Sequence, residues 1–175
     1  MYIQNSLCYN LRIMDEVNVF FSENQRFRQW WLWVILIGLT LFWAILIVIN
    51  SELIFFVIPL VIDLGLIVFM YSIELVTEVT SGGLKIKLWP FHRSWIVFPF
   101  AEMEGVEEVK YRPIRDYGGW GIRYGIFDKL HAKAYTVSGN RGVMLSMKGG
   151  SKFLIGSKLS SDLHSCIKTN SIESS

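Results

Sequence analysis

The sequence has few of the residues that build metal centres, disulfide frameworks and catalytic sites. Its two cysteines, Cys8 and Cys166, form no CxxC pair and lie on opposite sides of a long apolar block, so nothing indicates a disulfide framework. Its three histidines, His92, His131 and His164, share no metal-ligand spacing with each other or with the cysteines. It also has no nucleophile elbow, P-loop or HExxH motif. We therefore expect no metal, no cofactor and no enzymatic activity.

Neither sign of charge dominates. The chain has 17 basic and 15 acidic residues, a net charge of +2, and no long basic run, so we expect no nucleic-acid partner. The N-terminus lacks a short apolar region followed by a small-residue cleavage site, so we expect no cleaved signal peptide.

Hydrophobicity is what the sequence has in excess, and it is concentrated between residues 30 and 73. Two apolar runs, 30–49 and 53–73, are separated by Asn50-Ser51-Glu52. A helix needs roughly 20 apolar residues to cross a hydrocarbon core about 30 Å thick, and only helices satisfy their own backbone groups in lipid. The pattern predicts a transmembrane helical hairpin and makes the lipid bilayer a partner of the chain.

The distribution of basic residues predicts the orientation of the hairpin. Arginine precedes it at positions 12, 26 and 28, its turn has no basic residue, and Lys85, Lys87 and Arg93 follow it. Basic residues favour the cytoplasmic side, so we expect a multi-pass protein of the cell membrane with both termini in the cytoplasm. Residues 1–29 are predicted to be an N-terminal arm that is partly interfacial, with translation starting at Met1 or Met14.

Asp63 lies near the middle of the second apolar run, where a charged group costs on the order of 3 kcal/mol. Counting from the turn places it level with Thr40 of the first run. One interpretation is a proton or ion site. The other is a carboxyl group that is hydrogen-bonded to Thr40 or to another subunit.

After residue 73 the apolar period changes to two. Alternating segments separated by glycine-rich turns predict about seven antiparallel strands in residues 74–157. A helix with an apolar stripe then begins at Ser160, and residues 170–175 are predicted to be a disordered tail. The fold class is α+β. This order of elements, about seven strands and then one helix, resembles the pleckstrin-homology-like (PH-like) split β-barrel, in which a C-terminal helix caps the barrel. The resemblance implies a cytoplasmic PH-like domain at residues 74–169.

Three sequence segments extend this resemblance. They are Phe20, Ser22, Glu23 and Gln25 with WLW (residues 31–33), YRPIRDYGGWGIR (111–123) and SGNRGV (138–143). On these segments the chain resembles an uncharacterised prokaryotic family with two membrane helices and a bacterial PH-like domain. The resemblance implies the architecture, and it implies no activity because none is assigned to that family.

The segment 112–124 is the main candidate binding site. Arginines bind anionic groups and aromatic side chains gather binding energy, so the candidate residues are Arg112, Arg115, Tyr117, Trp120, Arg123 and Tyr124. In the alternative interpretation, Trp120 and Tyr124 fill the barrel mouth and the arginines pair with nearby carboxylates. The predicted function is a membrane-anchored, non-enzymatic interaction module that binds a protein, a peptide or a second copy of itself. A small transport or ion-conducting subunit built around Asp63 is the alternative function.

Overall fold

The structure is a computed structural model that describes residues 18–50, 53–125 and 132–173. The described helices are α1 (Trp30–Ile49), α2 (Leu53–Ser72), α3 (Pro113–Tyr117) and α4 (Ser160–Glu173). The described strands are β1 (Val19–Arg26), β2 (Glu74–Thr80), β3 (Gly83–Trp89), β4 (Ile96–Pro99), β5 (Met103–Lys110), β6 (Gly121–Tyr124), β7 (Ala132–Thr136), β8 (Arg141–Met147) and β9 (Lys152–Gly156). The alternative start sites, Cys8 and His131 lie outside the described residues.

Helices α1 and α2 are the two apolar runs of the sequence. Each has 20 residues, which at 1.5 Å per residue gives a length of about 30 Å. Within the most apolar window of each helix, 6% of the residues are buried, so almost all of the apolar side chains point away from protein. Both helices are long and apolar enough to cross a membrane. Pro59 lies inside α2 without ending it.

The hairpin is inserted into the β-domain, because β1 precedes α1 and pairs antiparallel with β2, which follows α2. Arg26 is opposite Glu74 in this pairing, and the Phe27 N–H donates to the Ile73 carbonyl oxygen at 3.2 Å. The sequence predicts an interfacial arm up to residue 29 and a domain that begins at residue 74. Strand β1 is not recognisable from the sequence, because two of its buried positions are the polar residues Glu23 and Gln25. They interrupt the alternation of apolar and polar residues that would predict a strand.

The strands form two sheets, and these are not a closed barrel. The first sheet has the order β1-β2-β3-β4, and the second has the order β5-β8-β9-β7-β6. The predicted α+β class is confirmed, and the described strands show two open sheets with a common core. Within each described sheet the neighbouring strands pair antiparallel, except that β7 and β9 are parallel. Strand β6 falls within residues 112–124, the candidate binding segment.

One apolar core joins the two sheets and α4. It contains Leu75 and Leu84 of the first sheet, Leu145 of the second sheet, and Leu163 and Ile167 of α4, all fully buried. The helix starts at Ser160 as predicted, and it continues to Glu173, beyond the predicted domain end at residue 169.

A smaller cluster covers the opposite face of the second sheet. It consists of Tyr111, Tyr117, Ala132, Ala134, Met144 and Leu154. The segment 111–120, which includes α3, supplies its two tyrosines. The second sheet is therefore packed on both faces, and the candidate binding segment forms part of that packing.

Candidate functional site

Helix α3 gives the candidate segment a defined backbone. Pro113 occupies the first helical turn, where its missing N–H costs nothing, and the Arg112 N–H donates to Asp116 Oδ2 at 2.7 Å. Gly118 ends the helix at φ 70°, a left-handed conformation that glycine adopts without strain. Its N–H donates to the Ile114 carbonyl oxygen at 3.0 Å. The candidate segment therefore begins as a short, capped helix.

Tyr117 faces inward and belongs to the fold. It is 2% exposed, and its ring meets the ring of Tyr111 edge to face, with 6.0 Å between centroids. No hydrogen-bond partner for its hydroxyl is present among the described residues. Burial disfavours the charged phenolate and raises the pKa of Tyr117 to about 12. A buried side chain of this kind stabilises the sheet and is closed to a macromolecular partner.

Trp120 also faces the protein, in a half-buried position. Its Nε1–H donates to the Gly139 carbonyl oxygen at 3.3 Å, in the turn between β7 and β8. Its ring lies edge to face with Phe27, with 6.3 Å between centroids. Because Phe27 lies between β1 and α1, this contact joins the candidate segment to the place where the hairpin leaves the domain. The structure therefore gives Trp120 a packing role.

The remaining candidate side chains are exposed. Arg112, Arg115 and Arg123 are exposed, Tyr124 is 71% exposed, and Ile114 is 67% exposed. We call these five residues the arginine surface. Sequence reasoning missed Ile114, and no sequence signal distinguishes it from a core residue, since its exposure depends on which side of α3 meets the sheet.

The arginines of this surface are not neutralised by the fold. Among the described residues, none of the three forms an ion pair with a carboxylate, and Arg123 Nε–H instead donates to the Trp120 carbonyl oxygen at 3.4 Å. The predicted alternative, in which the arginines pair with neighbouring carboxylates, is therefore not seen in this part of the chain.

More positive charge lies beside the arginine surface. Lys110 and Arg141 occupy opposite positions of β5 and β8, and both are exposed. Lys133 Nζ lies 5.8 Å from the ring centroid of Tyr124 and 5.3 Å from that of Tyr135. Hydrogen bonding to Tyr135 raises the pKa of Lys133 and keeps this group cationic. Lys133 therefore adds positive charge beside Tyr124, whereas Lys110 and Arg141 lie toward the opposite edge of the second sheet.

Buried polar side chains of β1 link the two sheets. Ser157 Oγ–H donates to Glu23 Oε2 at 2.6 Å, and the Lys158 N–H donates to Glu23 Oε1 at 2.9 Å. Gln25 Nε2–H donates to the Gly156 carbonyl oxygen at 2.8 Å and accepts a 3.1 Å hydrogen bond from Ser138 on Oε1. These contacts satisfy most of the polar atoms that the burial of β1 removes from water.

Thr40 and Asp63 lie together between α1 and α2. Thr40 Oγ1 is hydrogen-bonded to Asp63 Oδ2 and lies 2.9 Å from the Leu36 carbonyl oxygen. Asp63 is 3% exposed. The pair is level across the hairpin, in the arrangement predicted by the count from the turn, and it forms a polar contact between two otherwise apolar helices.

No group of three or more histidine, cysteine, aspartate or glutamate side chains in the described ranges is placed to hold a metal ion. No protein-family model, curated protein or solved structure matches the chain. The arginine surface and the inserted hairpin are the features of the described residues that bear most directly on function.

Proposed function

We propose that this chain is a membrane-anchored, non-enzymatic interaction module whose β-domain binds an acidic segment of a protein partner on the cytoplasmic side. The observation that supports it most directly is the arginine surface. It combines three arginines that have no carboxylate partner among the described residues with two exposed apolar side chains that the core does not use.

The hairpin supports the membrane anchor. Its exposed apolar surface would be unfavourable in water, where each Å² of apolar area costs about 25 cal/mol, and favourable in lipid. Because β1 and β2 are paired, the chain segments before and after the hairpin are on the same side of any membrane that it crosses. The excess of basic residues on that side favours the cytoplasm.

Insertion of the hairpin into the domain keeps the binding surface close to the bilayer. Residues 27–29 connect β1 to α1, and Ile73 alone separates α2 from β2. The Arg28 guanidinium also lies over the ring of Tyr71 at 4.3 Å, which joins the two connections. A domain attached at two such short connections has little reach, so its partner would be a membrane protein or a protein held at the membrane surface.

The chemistry of the arginine surface favours an acidic partner with an apolar anchor. A guanidinium group binds a carboxylate through two parallel hydrogen bonds, which gives orientation as well as strength. Ile114 and Tyr124 flank the arginines with the exposed apolar area that a bound segment would cover.

The experiment is crosslinking in native membranes followed by mass spectrometry, on the full chain and on the double variant Arg115→Glu, Arg123→Glu. Reversed charges repel an acidic partner, so we expect the crosslinked partner to be lost while the unfolding temperature stays within a few degrees of the parent. The matched control is Lys148→Glu, Lys152→Glu, which reverses two exposed charges in and beside the turn between β8 and β9. Retained crosslinks in the arginine variant, or equal losses in both variants, would contradict the proposal.

The alternative function, a small transport or ion-conducting subunit, would depend on the buried pair of Asp63 and Thr40. A path through a membrane needs a series of polar groups, and between residues 34–49 and 54–70 these two are the hydroxyl and carboxyl side chains. Asp63→Asn keeps a polar group of the same shape and removes its ability to ionise. We expect this variant to keep the crosslinked partners of the parent chain; their loss would favour the alternative.

A further inference from the structure

The connection between β3 and β4 exposes three large aromatic side chains. In this connection, residues 89–95, Trp89 is 42% exposed, Phe91 is 52% exposed and Trp95 is 40% exposed. We call it the aromatic turn. Exposed aromatic side chains that occur together, rather than singly, mark a surface that is covered by something else.

The aromatic turn lies at the end of the first sheet from which the hairpin emerges. Trp89 is opposite Glu74, which begins β2 directly after the link from α2. The ring of Phe91 meets that of Phe69, in the last turn of α2, edge to face at 5.9 Å between centroids. The opposite end of β2 and β3 is the turn at Ser81, which lies about 20 Å away for strands of this length.

The conformation of the turn is fixed by its inward side. The His92 N–H donates to the Leu88 carbonyl oxygen at 2.7 Å, and the His92 ring lies edge to face with that of Tyr135 at 5.9 Å. His92 is thus held against the core while Phe91, next to it, points outward. The exposure of the aromatic side chains is therefore built into the fold.

We propose that the aromatic turn inserts into the headgroup layer of the same bilayer that holds α1 and α2. This inference depends on the proposed membrane anchor. Tryptophan rings favour the membrane–water interface, and exposed basic groups nearby can meet lipid phosphates. Arg93 is such a group in the turn itself, and half-buried Lys87 lies beside it, with its Nζ 6.0 Å from the ring centroid of Trp95.

Lipid is favoured over a protein partner because the aromatic turn is continuous with the hairpin. Phe91 is in contact with α2, and exposed Trp30 and Trp31 begin α1 beside the same end of the domain. Aromatic residues of both helices and of the domain therefore lie near one level. Insertion of the turn would add a third attachment to the two strand–helix connections, and would fix the orientation of the domain on the membrane.

The test uses the full chain in lipid nanodiscs of phosphatidylcholine and phosphatidylglycerol, on a Cys8→Ser, Cys166→Ser background. Spin labels are attached one at a time at Phe91→Cys in the aromatic turn, at Ser81→Cys in the distal turn, and at Val61→Cys on the exposed side of α2. Collision with lipid-soluble oxygen and with a water-soluble nickel chelate reports the depth of each label.

We expect the Val61 label in the hydrocarbon core, the Phe91 label at headgroup depth and the Ser81 label in water. A Phe91 label as open to the nickel chelate as the Ser81 label would overturn the inference. A Phe91 label shielded from both reagents would also overturn it, since a protein surface would then cover the turn. A Val61 label outside lipid would instead refute the membrane anchor itself. The same measurement at Trp95→Cys guards against a variant that disturbs the fold at Phe91.

Discussion

The two sheets of the domain are buried in different ways. In β2 and β3 of the first sheet, buried and half-buried residues alternate, because one face meets the core and the other is open. In β8 of the second sheet, residues 142–145 are all buried, because the smaller cluster, which contains Tyr111 and Tyr117, covers the other face of this sheet. The difference shows that the segment 111–120 has a structural task, which restricts any binding function to its outward side chains.

The sheets also differ in how they are joined to the hairpin. The first sheet leads directly into both helices through β1 and β2. The second sheet is joined to that end through side chains, among them the hydrogen bonds of Gln25 and the contact between Trp120 and Phe27. Directional contacts of this kind fix the second sheet relative to the start of the hairpin.

The largest effect that we expect is from Tyr117→Ala, which removes a buried ring from the cover of the second sheet. Truncating a large buried aromatic side chain costs about 3–5 kcal/mol, through lost burial and the cavity that remains. Thermal or denaturant unfolding of the full chain in detergent measures the loss.

The control for this variant is Tyr124→Ala. Tyr124 lies on the outward side of the same segment, so its removal should change the free energy of unfolding by no more than about 0.5 kcal/mol. Equal losses in the two variants would show that the division of the segment into an inward and an outward side is wrong.

The elements that the sequence predicts best are those that depend on local pattern alone. The two apolar runs give α1 and α2, each an uninterrupted apolar stretch too long for a typical strand. The alternation in residues 74–89 gives β2 and β3, and Ser160 marks the start of α4. In each case the deciding interaction lies within the element or at its end.

The missed features depend on contacts that are distant in the sequence. Strand β1 is recognisable only once Glu23 and Gln25 have partners more than a hundred residues away. The parallel pairing of β7 and β9, where the sequence predicts antiparallel strands, depends on the spatial order of the strands, which strand number does not determine. Tyr117 and Tyr124 are both tyrosines of the same glycine-rich segment. Only the position of α3 on the sheet makes the first buried and leaves the second exposed.

The next effect in size concerns the link between the two sheets. Gln25→Leu keeps a side chain of similar volume but removes its amide group. The Gly156 carbonyl oxygen and the Ser138 hydroxyl then lose their hydrogen-bond partner. Leaving such groups unsatisfied costs about 1–3 kcal/mol. Denaturant unfolding of the full chain measures the loss, with the adjacent, exposed Asn24→Leu as a control that we expect to cost less. A variant at Gln25 as stable as the parent would show that the polar link contributes nothing.

The smallest effect concerns the contact between β5 of the second sheet and the first turn of α4. Ser160 Oγ–H donates to Glu108 Oε1 at 2.5 Å, and this hydrogen bond, with a smaller one from Ser161, lowers the pKa of Glu108 below its ordinary 4.5. A carboxyl group with a lowered pKa in the folded state contributes stability that is fully present above its ordinary pKa. That contribution is lost as the pH falls through the lowered value.

The measurement is the difference in free energy of unfolding between the parent chain and Glu108→Gln as a function of pH. We expect the parent to be the more stable at neutral pH and the difference to shrink as the pH falls below about 4.5. Glu108 is exposed, so the effect should be small and weaken further at high salt. Ser160→Ala removes the principal donor, and in that background most of the pH-dependent difference should disappear. If the difference in free energy of unfolding keeps its full pH dependence in the Ser160→Ala background, the hydrogen bond from Ser160 is not its cause. The charge of Arg141 would then be the cause of the lowered pKa of Glu108.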